Sequence, residues 1–354
     1  MKNINKSMAV MVLLLLIPMI LVGCGNNKTN VQVQTPAKQT ITDMMGNKVE
    51  IPVEVKRLGD SWQAHNEVVA MLGAGDRIVA TIHTPQSRPW LFKVVPAMNN
   101  AVQTFDANGV KIEELLKAKP DLVFVSQGDK SAKTITEAGI PVVEFKTFTN
   151  YDELKELFKF TATMLGEDAK KRADLYASYL DSKIKMLTDV TSKIPEDKKP
   201  KVLHITSLSP LSVDGNATII NSWIEVAGGI NAAKETSGNM VKVNMEQVLK
   251  WNPDVIIIGN TVKDWDKVLT DPEWANISAI KAKKVYLNPD GAFYWDRYGA
   301  EEALQIQWAA KLLNPDKFPD LDIAKETKTF YKTFFSYDLT DDDVQLILKG
   351  LPPK

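Results

Sequence analysis

Two stretches of the chain decide its fold. Residues 110–126 read VKIEELLKAKPDLVFVS, and residues 243–259 read VNMEQVLKWNPDVIIIG. Glu113 and Glu246, Leu116 and Leu249, Lys117 and Lys250, Pro120 and Pro253, and Asp121 and Asp254 coincide at an offset of 133 residues. Each copy predicts a short helix that stops before a proline, whose ring disfavours helical geometry in the residue preceding it. Each then enters a continuous apolar run, 122–125 and 255–258, of the kind buried on both faces of a parallel sheet. An offset this long implies two related α/β domains in tandem and excludes a solenoid of short repeats.

Further strands are expected at 55–58, 77–81 and 141–145 in the first half, and at 201–206 and 284–287 in the second. Helices are expected to begin near Asn66, Ser131, Ile219 and Tyr298. Alternation of strand and helix predicts layered α/β lobes. Between them, 151–194 has helical periodicity and no strand candidate. Within it, 168–190 places Leu175, Tyr179, Ile184 and Leu187 on one side, with polar residues opposite. A helix of that length spans about 33 Å and is expected to act as a rigid strut between the lobes. Its polar continuation, 191–200, ends it as a loop. The predicted organisation is a first lobe at 41–150, a helical linker at 151–195 and a second lobe at 196–354.

The 354 residues carry 43 Lys+Arg, 44 Asp+Glu, three His and one Cys. Near-neutral charge excludes a generally basic nucleic-acid binder. A single cysteine excludes a disulfide framework and a multi-cysteine metal site. That cysteine, Cys24, follows Lys2, Lys6 and an apolar run from Met8 to Val22, too short for the roughly 20 residues of a spanning helix. Residues 1–23 read as a secretory signal. Leu21-Val22-Gly23-Cys24 resembles the bacterial lipobox, in which the signal is cut before Cys and the thiol is acylated. An uncleaved anchor, or a secreted protein with a free thiol, are the alternatives. Cleavage there leaves 331 residues with net charge −3. Polar residues 24–40 are expected to be a flexible tether.

The order of lipobox, α/β lobe, long helix and α/β lobe resembles the class III substrate-binding proteins of bacterial ABC importers, which bind iron–siderophore complexes, haem and cobalamin. The resemblance runs from about Ile41 to the C-terminus. It rests on LGAGDRIV at 72–79, on INSWIEVAGG at 220–229 and on the two echoed segments. It implies two Rossmann-like lobes with mostly parallel sheets, joined by a long helix, and a ligand cleft between them. It also implies that Glu113 and Glu246, one per lobe and seven residues before a Pro-Asp, dock into arginine pockets of a permease. Carboxylates can form bidentate, charge-assisted bonds to Arg. Each is equally suited to stabilising a helix start.

Ligand contacts are expected from loops at strand ends. In the first, 59–67, relatives carry Ser-Pro-x-x-Thr-Glu where this chain has Trp62-Gln63-x-x-Asn66-Glu67, so its contacts must differ. Trp62 and His65 are candidates there. His83, Arg88 and Trp90 are candidates in the second loop, with charge and stacking for an anionic chelate. In the second lobe, 288–299 offers Tyr294, Trp295, Arg297 and Tyr298. His204, inside a predicted strand, reads as a core histidine, and Trp223 as core.

Catalysis is not expected. The three histidines are dispersed without an HExxH motif, no Gly-x-Ser-x-Gly surrounds Ser207, Ser209 or Ser212, and no phosphate-binding glycine motif is present. The expected function is capture of an iron chelate, with an iron–siderophore complex first and haem second, the latter ligated by His65 or His83 with a tyrosine. Cobalamin and a molybdate-type oxyanion remain alternatives on the same fold, and an adhesin-like surface module on a different one. No intrinsic cofactor is expected, and direct ligation of the metal by a side chain is left open. The expected partners are the permease, its ATPase subunits and, through acylated Cys24, the outer face of the cytoplasmic membrane. A monomer is expected.

Overall fold

The computed structural model describes residues 37–354, so the signal segment, Cys24 and most of the expected tether lie outside the described residues. A hairpin of β1 (Lys38–Thr42) and β2 (Lys48–Pro52) comes first, beginning inside the stretch expected to be tether. The first lobe then runs β3 (Leu58–Asp60), α1 (Gln63–Val69), β4 (Ile78–Thr81), α2 (Pro89–Val94), β5 (Val102–Gln103), the short hairpin β6 (Phe105–Asp106) and β7 (Gly109–Val110), α3 (Ile112–Ala118), β8 (Leu122–Ser126), α4 (Ser131–Glu137) and β9 (Val142–Phe145). Its sheet has the order β5-β4-β3-β8-β9 and is parallel throughout. The winding reverses between β3 and β8, which opens a crevice beyond their carboxyl ends. The strand expected at 55–58 begins only at Leu58, because Lys56 and Arg57 give their amides to the Asp121 carboxylate instead of to a sheet.

The helical middle is two elements, α5 (Tyr151–Leu165) and α6 (Glu167–Thr191). Gly166, at φ 108°, makes the break in a region that glycine enters without a side-chain clash. Helix α6 has 25 residues and is about 38 Å long. The second lobe follows with β10 (Lys201–Leu208), β11 (Leu211–Val213), α7 (Ile219–Val226), β12 (Ile230–Asn231), β13 (Val241–Lys242), α8 (Met245–Trp251), β14 (Val255–Ile258), α9 (Ser278–Lys281), β15 (Val285–Leu287), α10 (Glu302–Leu313), α11 (Ile323–Phe335) and α12 (Asp341–Leu348). Strands β10, β14 and β15 are parallel, whereas β11 folds back antiparallel on β10 and is flanked by β13. The helix expected from Tyr298 starts at Glu302, because Tyr298 itself sits at φ 61°.

Side-chain alternation along the two echoed strands builds the layers. Leu122 and Phe124 point into one core and Val123 and Val125 into another. Val255 and Ile257 join that same first core, and Ile256 and Ile258 a third. The first core is therefore continuous from one lobe, through Tyr176 and Leu180 of α6, to Leu304 and Phe330 of the other. The duplication extends to hydrogen bonds. Asp121 Oδ2 accepts from the amides of Lys56 (2.7 Å) and Arg57 (2.8 Å), and Asp254 Oδ2 accepts from the amide of Lys201 (2.9 Å). Arg57 Nε donates to the Lys119 carbonyl at the end of α3, and Lys201 Nζ to the Trp251 carbonyl at the end of α8. In each lobe a Pro-Asp thus locks a surface helix to the start of a neighbouring strand.

Where the lobes meet, three glutamates are buried: Glu67 of α1, Glu301 just before α10, and Glu302 within it. Glu67 Oε2 accepts from the Ala300 amide at 2.9 Å, a bond between lobes. Glu301 accepts from the Phe293 amide (2.7 Å), from Trp295 Nε1 (2.9 Å) and from the Tyr331 hydroxyl. A Cβ on Gly299 would lie 2.1 Å from Glu67 Oε2, so the seam closes only over a glycine. Burial raises the pKa of all three; Glu301 is pushed from 4.5 to about 7 despite its donors, and Glu67 and Glu302 are pushed well up. A carboxyl whose pKa is higher in the folded state favours folding fully below pH 4.5, and that contribution is lost as pH rises through about 7. The loss is roughly 3 kcal/mol for Glu301. Thermal unfolding from pH 5 to pH 8 should show a falling melting temperature in the native chain, and a markedly shallower fall in Glu301→Gln. Parallel curves for the two would contradict this account.

Candidate functional site

The cleft loops start from local chemistry. Asp60 ends β3, and its Oδ1 accepts the Trp62 amide (3.1 Å), starting α1. The Ser61 hydroxyl donates to Asp129, tying the loops after β3 and β8 across the crevice. Trp62 is half-buried, stacks on His65 at 5.9 Å and 7°, and lies 6.3 Å from Phe148. Phe148 in turn meets Tyr298 of the second lobe edge-on at 5.1 Å. An aromatic seam thus runs from Trp62 to Tyr298. His65 itself is unavailable to a ligand: Nδ1 lies 2.8 Å from Asp60 Oδ2 and Nε2 2.9 Å from Thr161 Oγ1, with the ring buried.

The loop after β4 tells a similar story. His83 Nε2 donates to the Gln63 carbonyl at 2.8 Å. Burial lowers its pKa to about 4, so the imidazole is neutral at pH 7. Arg88 is buried and forms a bidentate pair with Asp290 of the second lobe, at 3.0 and 2.9 Å, while its guanidinium lies 3.8 Å over the Tyr294 ring. Its Nε donates to the Ser87 carbonyl. Every nitrogen of Arg88 is therefore used within the protein. Burial lifts Asp290 to about 6 against the pull of Arg88, so it is ionised at pH 7. Trp90 is a core residue, buried among α2 neighbours, with Nε1 donating to the Leu351 carbonyl near the C-terminus.

In the second lobe the residues of 290–298 divide into structure and surface. Trp295 is buried, and its indole N–H is held by Glu301. Tyr294 and Tyr298 stay partly exposed. Tyr298 receives a hydrogen bond from Asn239 Nδ2 at 2.6 Å. Its left-handed backbone costs about 1–3 kcal/mol for a bulky residue, a strain that concentrates at functional sites. Arg297 is nearly buried. Its Nη2 lies 3.5 Å from Asp296 Oδ2 and 3.8 Å from Asp214 Oδ2, beside Gly259 at the carboxyl end of β14. Its Nε and Nη1 donate to no protein group among the described residues. His204 bridges the same two acids, with Nδ1 at 2.7 Å from Asp214 and Nε2 at 2.9 Å from Asp296. Burial opposes its protonation, but the two carboxylates prevail and its pKa is raised. Asp296 is buried too, and Arg297 and His204 hold its pKa below the usual range.

The structure thus brings Trp62, Arg88, Tyr294, Arg297 and Tyr298 to facing loops. It withdraws His65, His83, Trp90 and Trp295 into packing. The counter-ions Asp214, Asp290 and Asp296 and the bridging Phe148 were not singled out in the sequence. Two of these acids stand in the same loop as Arg297, and a buried guanidinium requires such partners. Glu113 and Glu246 are exposed in the first turns of α3 and α8, with no ion-pair partner among the described residues. Among these residues no group of three His, Cys, Asp or Glu is arranged to hold a metal ion, and no helix is long and apolar enough to cross a membrane.

The profile of the periplasmic binding protein family matches residues 63–292. The molybdate-binding protein MolA of Haemophilus influenzae is 30% identical over 87% of this chain and 93% of its own length. The Fe(3+)-citrate-binding protein YfmC of Bacillus subtilis is 24% identical over 80% and 89%. Among solved structures, a periplasmic solute-binding protein of Veillonella parvula superimposes with a TM-score of 0.75 at 30% identity, covering 88% of this chain and 97% of that one. Molybdate-bound MolA gives 0.76 at 28% identity, covering 85% and 99%. The two lobes, the strut helix and these likenesses agree: the chain belongs to the periplasmic binding protein family, as the solute-binding component of an ABC importer, which captures a ligand without converting it.

Proposed function

We propose that the protein captures a small oxyanion of the molybdate type between its lobes and delivers it to an ABC permease. The observation that carries this reading is the pair of uncommitted donors on Arg297. Its Nη2 faces Asp214 and Asp296, while Nε and Nη1, one on either side of Nη2, each keep a donor for an incoming acceptor. A charge-assisted bond from a guanidinium to an oxyanion is among the strong ones. Neutral partly exposed groups, Tyr294 and Tyr298, flank it. The similarity to MolA over nearly the full length of both chains supports the same class.

The bulky iron chelate favoured by the sequence finds less support. Arg88, one of the two arginines assigned to it, is consumed by Asp290, and Trp90 and Trp295 have no face to offer. It stands as the second reading, because Trp62, Tyr294 and Tyr298 keep accessible aromatic surface and a relative binds ferric citrate. Haem ligation through His65 is disfavoured by its two engaged nitrogens. Delivery is assigned to Glu113 and Glu246, whose carboxylates have no ion-pair partner among the described residues and are held on helices locked by Asp121 and Asp254. Acylation of Cys24 would keep the protein at the outer face of the membrane.

Calorimetric titration should show binding of sodium molybdate and sodium tungstate to the native chain. Arg297→Ala should weaken that binding about 100-fold or more, the loss expected when one partner of a buried charge-assisted contact is removed. Binding of ferric citrate or haem with no response to either oxyanion would overturn the ligand assignment. In cells, Glu113→Ala with Glu246→Ala should abolish uptake while the purified variant still binds its ligand. Undiminished uptake would refute the docking assignment.

A further inference from the structure

Beside each proposed docking carboxylate stands an exposed leucine. Leu116 is 46% exposed and Leu249 is 43% exposed, although the side chains on either side of them in sequence follow an ordered pattern of burial. In α3, Leu115 and Ala118 are buried, and Glu113, Leu116 and Lys117 face out. In α8, Val248 is buried, and Glu246, Leu249 and Lys250 face out. Residues three apart on a helix share a face, so Glu113 lies beside Leu116 and Glu246 beside Leu249. A single exposed leucine on a protein surface calls for no explanation. Here the same residue type is exposed at the same place in both copies of one motif, next to a carboxylate that has no ion-pair partner among the described residues.

The backbone beneath the two leucines is held alike. Each helix ends on a left-handed residue, Lys119 at φ 49° and Asn252 at φ 42°, and each is fastened by the Asp and the cation described above. The two Glu–Leu pairs are therefore presented by matching rigid platforms, one on each lobe. The lysines differ: Lys117 is tied to Glu114 at 2.7 Å, while Lys250 has no ion pair among the described residues. What the platforms share is an anionic tip with an apolar shoulder.

We propose that Leu116 and Leu249 are paired apolar anchors of the permease interface, seated in hydrophobic walls beside the cationic pockets that receive Glu113 and Glu246. This rests on the docking role proposed for the two glutamates. The charge of the carboxylate selects a basic partner, and exclusion of water by the leucine strengthens that contact by lowering the local dielectric. Each leucine has nearly half of its surface still to bury, which is worth about tenfold in affinity.

Binding of the full-length protein to its cognate permease–ATPase complex in lipid nanodiscs tests this. Leu116→Ser and Leu249→Ser should each weaken binding about tenfold, and the double variant about 100-fold. The Leu116→Met, Leu249→Met double variant should bind as the native chain does. Melting temperatures within a degree or two of the native protein will show that the fold is intact. If the double serine variant binds normally while Glu113→Ala with Glu246→Ala does not, the leucines are no anchors and the carboxylates alone dock. If both doubles bind normally, the docking face itself is wrongly placed, and this proposal falls with it.

Discussion

The guanidinium of Arg88, out of solvent between two lobes, has to find a carboxylate, and much of the cleft follows from how it does so. A buried cation without a partner is strongly destabilising, and a bidentate carboxylate satisfies both charge and geometry. Asp290 supplies it from the opposite lobe, and Tyr294 covers the ion pair. That contact fixes one end of the loop that carries Arg297. Phe148 against Tyr298 fixes the other. Between these two anchor points, Arg297 is held by Asp214 and Asp296, and His204 shares the same acids from the centre of β10. The second lobe therefore presents Arg297 with two carboxylates behind it and with its Nε and Nη1 uncommitted among the described residues.

The continuous core sets the mechanical character of the molecule. Tyr176 of α6 packs with residues of both lobes and donates its hydroxyl to the Ala300 carbonyl, while Arg172 reaches Met71 in the first lobe and Phe334 in α11. Helices α11 and α12 close the second lobe in sequence, yet Lys93 of α2 pairs with Asp343 of α12 and Trp90 with Leu351 just beyond it. Opening the lobes would strip these contacts and expose the glutamates of the seam, so all of them oppose it. The Pro-Asp locks then pass that stiffness to α3 and α8, so the separation of the two proposed docking points is set by the whole molecule.

The sequence made the framework legible because strand and helix leave periodic marks. The echoed segments located both sheets, and the apolar alternation within 122–125 and 255–258 distributes into separate cores as buried parallel strands should. His204 was readable as a satisfied core histidine for the same reason: it stands inside a strand. The site was harder. Arg88, Trp90 and Trp295 look like ligand groups in a loop, but whether an arginine meets a ligand or an aspartate 202 residues away is decided by tertiary contact alone. The break at Gly166 and the late start of α10 were likewise hidden, since each depends on one positive-φ residue within otherwise helical composition. Two of the buried glutamates left a trace, adjacent acids opening an apolar helix, yet the third, Glu67, lies more than two hundred residues earlier and reaches them through the Ala300 amide.

The proposed binding of an oxyanion by Arg297 between the lobes is tested most directly by a crystal grown with sodium molybdate and measured at the molybdenum absorption edge. One strong anomalous peak is expected within hydrogen-bonding distance of Arg297, close to Tyr298 or Tyr294. A peak elsewhere, or none at saturating molybdate, would contradict it.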